Sequence, residues 1–238
     1  MAVHQNPSTM KNRVLSLAGV IASCYLILWA SPISFISDAF SLGQSYYPVL
    51  FERHFWQYLF AFVGVTVLSR GHLWSYGINS QNLETSMIWL SWLYIIVISA
   101  TFIFLWTGRE LLPITAENIP NGQLNTVFAM LVYWMSSPVA NQILFFSFGQ
   151  TVLMKQWGDT MRIGRIPVVV IVSALLFTYG ATSSQFIIGE YSALLTFMLG
   201  LFCGMVYWKT NSLITPMLGQ AFFFGFPFFV HIVRMMLL

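Results

Sequence analysis

The chain has 238 residues, of which 58% are hydrophobic and only 7% charged. Ten Lys/Arg and seven Asp/Glu leave a formal net charge of +3. A water-facing globule carries about 25% charged residues, so this composition excludes a soluble domain and implies a bundle whose outer surface is lipid.

A membrane-crossing helix takes about 20 residues, which gives room for about seven helices (six to eight) in an all-α polytopic bundle. The apolar runs, in order, cover residues 14–29, 55–69, 85–106, 125–154, 166–181, 186–208 and 213–238. Lys11 and Arg13 ahead of the first run resemble a signal n-region, and Ile21-Ala22-Ser23-Cys24 looks like a lipoprotein processing site. The run continues through Tyr25 to Trp29, so it reads as an uncleaved first helix. The second run is short, with Glu52, Arg53 and His54 placed at its start within reach of headgroups. The fourth is too long for one straight span and is interrupted at Ser136-Ser137-Pro138. The last carries Pro216 and Pro227; a turn-back at Pro227 would leave Arg234 without an assigned side.

Loop charges orient the bundle. With the N-terminus inside, Lys11, Arg13, Arg70, Lys155, Arg162, Arg165 and Lys209 gather on the cytoplasmic side, and Arg53 and Arg109 on the other. That is the positive-inside pattern, and it implies a cytoplasmic N-terminus. Compact loops favour a prokaryotic inner membrane. The cations are too scattered for a nucleic-acid interface.

Polar residues at membrane depth are functional candidates by default. Titratable ones are nearly absent; the neutral Asn141, Gln142, Gln150 and Gln220 remain. Each amide is costly to bury alone, so interhelical bonding is the plainest role and ligand binding the alternative. Gly200 and Gly204 form a small-xxx-small pattern that permits close helix packing. Cys24 and Cys203 show no ligand spacing, and no metal or cofactor is expected.

Three stretches resemble the CPBP family of intramembrane proteases, which includes type II CAAX prenyl proteases and the Abi and bacteriocin-immunity proteins. They are Ser137-Pro138-Val139-Ala140-Asn141-Gln142-Ile143-Leu144-Phe145-Phe146, Ser173 to Ala181 with Phe177, and a segment from Leu195 with Gly200, Gly204, Tyr207, Pro216, Gln220, Ala221 and Phe224. Tyr76-Gly77-Ile78 resembles the family's approach to its core. The resemblance implies one transmembrane domain over residues 1–238: a tail at 1–13, N-terminal helices at 14–124, a CPBP-like core at 125–224 and a C-terminal segment at 225–238.

The chemistry departs from the family's pattern. Asn141 and Gln142 stand where the family has its Glu-Glu pair, Phe146 where it has Arg, Ala181 and Gln220 where it has His, and Phe224 where it has Asn. General-base catalysis needs a group that takes a proton near working pH, and none of these does. The resemblance therefore implies a pseudoprotease with a plugged centre. Its degenerate positions would contact another membrane subunit or transmembrane segment. The alternatives are a protease built from Glu52, His54, Glu117 and Glu190, and a small-solute transporter broken at Pro138.

Overall fold

The computed structural model describes residues 10–30, 46–80, 82–107, 123–158, 161–183 and 192–237. In chain order these form α1 (Met10–Ala30), α2 (Tyr46–Ser69), a 3₁₀ turn (Leu73–Tyr76) and α3 (Leu83–Trp106). One continuous helical run over residues 123–157 follows. It comprises α4 (Gln123–Leu131), a π segment (Val132–Ser136), α5 (Ser137–Asn141), a second π segment (Gln142–Gln150) and α6 (Thr151–Trp157). A two-stranded hairpin, β1 (Arg162–Ile163) and β2 (Ile166–Pro167), leads into α7 (Val168–Ser183), α8 (Ser192–Thr210) and α9 (Ile214–Leu237). The protein is an all-α polytopic membrane bundle. Among the described residues, five helices are long and apolar enough to cross a membrane, and α7 holds a shorter apolar helix.

The outer helices bury a single stripe. Val20, Cys24 and Leu28 of α1 lie at a spacing of four, the repeat that keeps residues on one helical face. Ser86, Leu90, Leu93, Val97 and Thr101 do the same for α3. Their other faces carry Ile, Leu, Phe and Trp side chains that only lipid can cover. The deep core is the 123–157 run, enclosed by α2, α7, α8 and α9.

Two prolines behave differently from the sequence expectation. Pro138 does not interrupt the fourth run. A helix passes a proline by rearranging the turn before it, and here the Ser137 N–H reaches back five residues to the Val132 carbonyl. Pro227 likewise lies inside a continuous α9, so the last segment does not turn back. The second helix begins at Tyr46 rather than near residue 55. This puts Glu52 and His54 inside the helix and buried, at 3% and 2% exposure, instead of at a headgroup-solvated start.

The helices alternate in direction, so one end of the bundle collects the start of α1 and the ends of α2, α6 and α8. Cations there lean on aromatic rings. The Lys155 ammonium lies 3.9 Å from the Tyr76 ring centre, Lys209 lies 4.6 Å from that of Trp89, and the Arg162 guanidinium 5.5 Å from that of Trp208. Such contacts suit an interface, where an apolar stem and a wet head must coexist. The Tyr76–Gly77 turn locks onto this end. Ser147 Oγ donates to the Tyr76 carbonyl at 2.6 Å, and the Leu213 N–H donates to the Gly77 carbonyl at 3.0 Å. Gly77 has φ +77° and lies against the Tyr207 ring, so both its backbone and its lack of a Cβ are required.

Candidate functional site

Asn141 closes α5 and Gln142 opens the second π segment, so both project at the depth where the run is most enclosed. Wide π turns are uncommon and recur at functional positions. Here the nine-residue segment buries every one of its side chains.

Four amides and one hydroxyl form a single chain of hydrogen bonds. Gln57 Nε2 of α2 donates to Asn141 Oδ1 at 2.9 Å, and Asn141 Nδ2 donates to Ser137 Oγ at 3.2 Å. Gln220 Nε2 of α9 donates to the same hydroxyl at 3.4 Å, while Gln142 Nε2 donates to Gln220 Oε1 at 2.7 Å. The five residues are at most 6% exposed. The network ties α2, the central run and α9 together. Ser137 is its hub.

One turn or two further along, Gln150 Nε2 donates to the Gly204 carbonyl at 3.0 Å, anchoring α8. Two acceptors are left over: Gln142 Oε1 and Gln150 Oε1 are buried with no hydrogen-bond partner. A made bond contributes about 1 kcal/mol net, whereas an orphaned buried acceptor costs about 1–3 kcal/mol. The two nearly cancel. The network's contribution is therefore a fixed register between three elements more than net stability.

Aromatic packing fills the space beside the amides. Phe146 and Phe177 are wholly buried, with ring centres 5.7 Å apart, and Phe145 meets Phe177 edge-on at 6.0 Å. α8 approaches because Gly200 and Gly204 have no side chain. A Cβ at Gly200 would lie 3.0 Å from the Phe177 ring and 3.1 Å from the Ala174 Cα. At Gly204 it would lie 3.0 Å from Val170 and 3.2 Å from Phe146. Ala181 and Phe224 are buried too, at 4% and 7% exposure, but stand outside the amide chain. The Cys203 thiol is fully buried and lies within hydrogen-bonding reach of the Gln142 amide.

The sequence reading did not single out Gln57 or Ser137. Gln57 was legible as an amide inside an apolar run, the same signal that marked Gln142. Ser137 is a small hydroxyl beside a proline, and nothing in its type announces a hub. Glu52 accepts a hydrogen bond from Trp56 Nε1 at 3.3 Å. Glu52 and His54 are two apart on one helix, a spacing that points side chains away from each other. Glu117 and Glu190 lie outside the described residues. Among the described residues, no group of three His, Cys, Asp or Glu is placed to hold a metal ion.

Residues 123–225 match the family model described as type II CAAX prenyl endopeptidase, Rce1-like. The chain carries a CPBP-family domain. No curated protein and no solved structure matches it. The CPBP segment contains Ser137, Asn141, Gln142, Phe146, Phe177, Ala181, Gly200, Gly204, Gln220 and Phe224, whereas Gln57 enters from outside it. Its centre can donate and accept hydrogen bonds. Amides, phenyl rings and a methyl group do not exchange protons near neutral pH, so these side chains supply no general base.

Proposed function

We propose that this CAAX-protease-type membrane protein is catalytically silent and acts by binding. Its fold would hold another membrane protein or transmembrane segment, as a scaffold, assembly or immunity subunit. The observation that carries this reading is the amide chain from Gln57 through Asn141, Ser137 and Gln220 to Gln142. Three of its members, Asn141, Gln142 and Gln220, stand where the resemblance puts reactive residues of the family, and they are engaged in bonds to one another or to Ser137 and Gln57. The basic end of the bundle supports a cytoplasmic N-terminus, and the short connections fit a prokaryotic inner membrane.

A second reading has its own support. Glu52 and His54 are buried in α2, the helix that delivers Gln57 to the same network. A protease built from these residues is the alternative, and one assay separates the two. The purified chain in nanodiscs is incubated with a farnesylated peptide ending in a CAAX sequence. We expect no product above empty nanodiscs. Cleavage that requires the chain and disappears in Glu52→Gln or His54→Gln would overturn the silent reading. For the binding arm, mild-detergent purification from native membranes should recover a stoichiometric second polypeptide; recovery of the lone chain contradicts it.

A further inference from the structure

We propose that the cleft between α1 and the bundle is a binding site for an anionic glycerophospholipid, its phosphate held at Lys155 and an acyl chain lying inward along α1. The inference is independent of whether the CPBP core is catalytic.

A cavity of about 440 Å³ opens beside α1, with Ser16, Gly19 and Ser23 on one wall and Phe148, Val152 and Lys155 on the other. Its polar groups are not spread evenly. Lys155 and Gln156 lie in the last turn of α6 and Ser16 in the second turn of α1, all at the basic end of the bundle. Val20 and Phe148, with the one small hydroxyl of Ser23, carry the uncharged cleft inward from there. A charged mouth and an apolar interior match one class of membrane molecule in both parts.

The site is held open by its own construction. Trp157 Nε1 donates to the Arg13 carbonyl at 3.1 Å and to Ser16 Oγ at 3.0 Å, fixing the start of α1 against α6. Further along, Gly19 presents no side chain, and a Cβ there would meet nothing within 4 Å. α1 is thus pinned at its start and packs inward through Val20, Cys24 and Leu28, while its Gly19 face stands off from the bundle. Lys155 is held at the mouth by its contact with the Tyr76 ring, 3.9 Å away, which leaves N–H groups of the ammonium for a phosphate.

Charge selects the headgroup. Lys11, Arg13, Arg70, Lys155, Arg162, Arg165 and Lys209 gather at this end, against Glu84 among the described residues. Basic pockets between helices at a membrane surface bind anionic headgroups, with each cation contributing a few-fold in affinity. A neutral phospholipid would gain little from this end.

The test is native mass spectrometry of the delipidated full chain in detergent, titrated with phosphatidylglycerol or phosphatidylcholine. One phosphatidylglycerol should bind in preference to phosphatidylcholine. Lys155→Gln should weaken it about fivefold, and Lys155→Arg should retain it. Gly19→Phe fills open space rather than packed core, so it should abolish binding while leaving the melting temperature within a few degrees. Lys209→Gln is the remote-charge control and should change nothing. Equal binding of the two lipids, or equal loss in Lys155→Gln and Lys209→Gln, would overturn the site in favour of diffuse attraction. Undiminished binding in folded Gly19→Phe would overturn it as well.

Discussion

α1 and the CPBP core are both helical and both apolar, yet they satisfy different solvents. Only 17% of the spanning window of α1 is buried in the protein, and 22% of that of α3. For the 123–157 run and for α9 the share is 56%. The outer helices place one stripe inward and leave Trp29, at 71% exposure, and Trp106, at 93%, for lipid or the interface. The core helices have no such freedom. They carry the amides, the small residues and the wide turns. Since lipid is as apolar as leucine, burial of apolar area does little to hold membrane helices together. Close packing and hydrogen bonds must do it, and the core is where both are found.

Substitutions graded by region can break that comparison. Phe146→Ala should have the largest effect, because a fully buried ring is removed from between α7 and α8; a loss of about 3–5 kcal/mol is expected in detergent unfolding. Gln220→Leu comes next. It orphans the Gln142 amide hydrogens and a Ser137 contact, for about 1–3 kcal/mol. The double variant Gln142→Leu/Gln220→Leu should recover part of that loss, since both partners of the bond are then apolar. Additive losses in that cycle would mean that the two amides do not interact.

Gly200→Ala is comparable, at about 1–3 kcal/mol for overpacking, because its new methyl faces the Ala174 backbone as well as a side chain. Trp157→Phe should be smaller, about 1 kcal/mol, and local. Its signature is faster hydrogen exchange in α1 with the core unchanged, since only the bonds to Arg13 and Ser16 are lost. Ile96→Ala, on the lipid face of α3, should fall within about 0.5 kcal/mol. A cost there equal to that of Phe146→Ala would erase the distinction between the regions.

Much of this was legible in the residues. Apolar runs of helical length gave the bundle, because a membrane permits few other ways to satisfy a backbone. The spacing from Pro138 through Gln142 to Gln220 gave the core. Boundaries were harder where polarity misleads. Glu52 and His54 made the second run look nine residues shorter than α2 is, since a charged residue in sequence reads as a helix end while in the fold it can be buried. Pro138 and Pro227 read as breaks because the sequence does not reveal when neighbouring helices hold a wide turn in place. The identity of the partner amide was out of reach for a related reason. Gln57 could face lipid or core by sequence alone, and only the packing of α2 against α5 decides it.

The central claim is that the family's reactive centre is closed here, and the two native cysteines report on it. Cys24 faces the core from the loosely held α1, whereas Cys203 lies beside Gln142 at the centre. The measurement is the modification rate of each thiol by a small, membrane-permeant maleimide in the folded protein, read by peptide mass. A closed centre predicts that Cys24 reacts first, as α1 opens locally, and that Cys203 reacts only at the rate of global unfolding. Modification of Cys203 in the folded chain as fast as Cys24, or faster, would mean an open, hydrated chamber and would contradict the account.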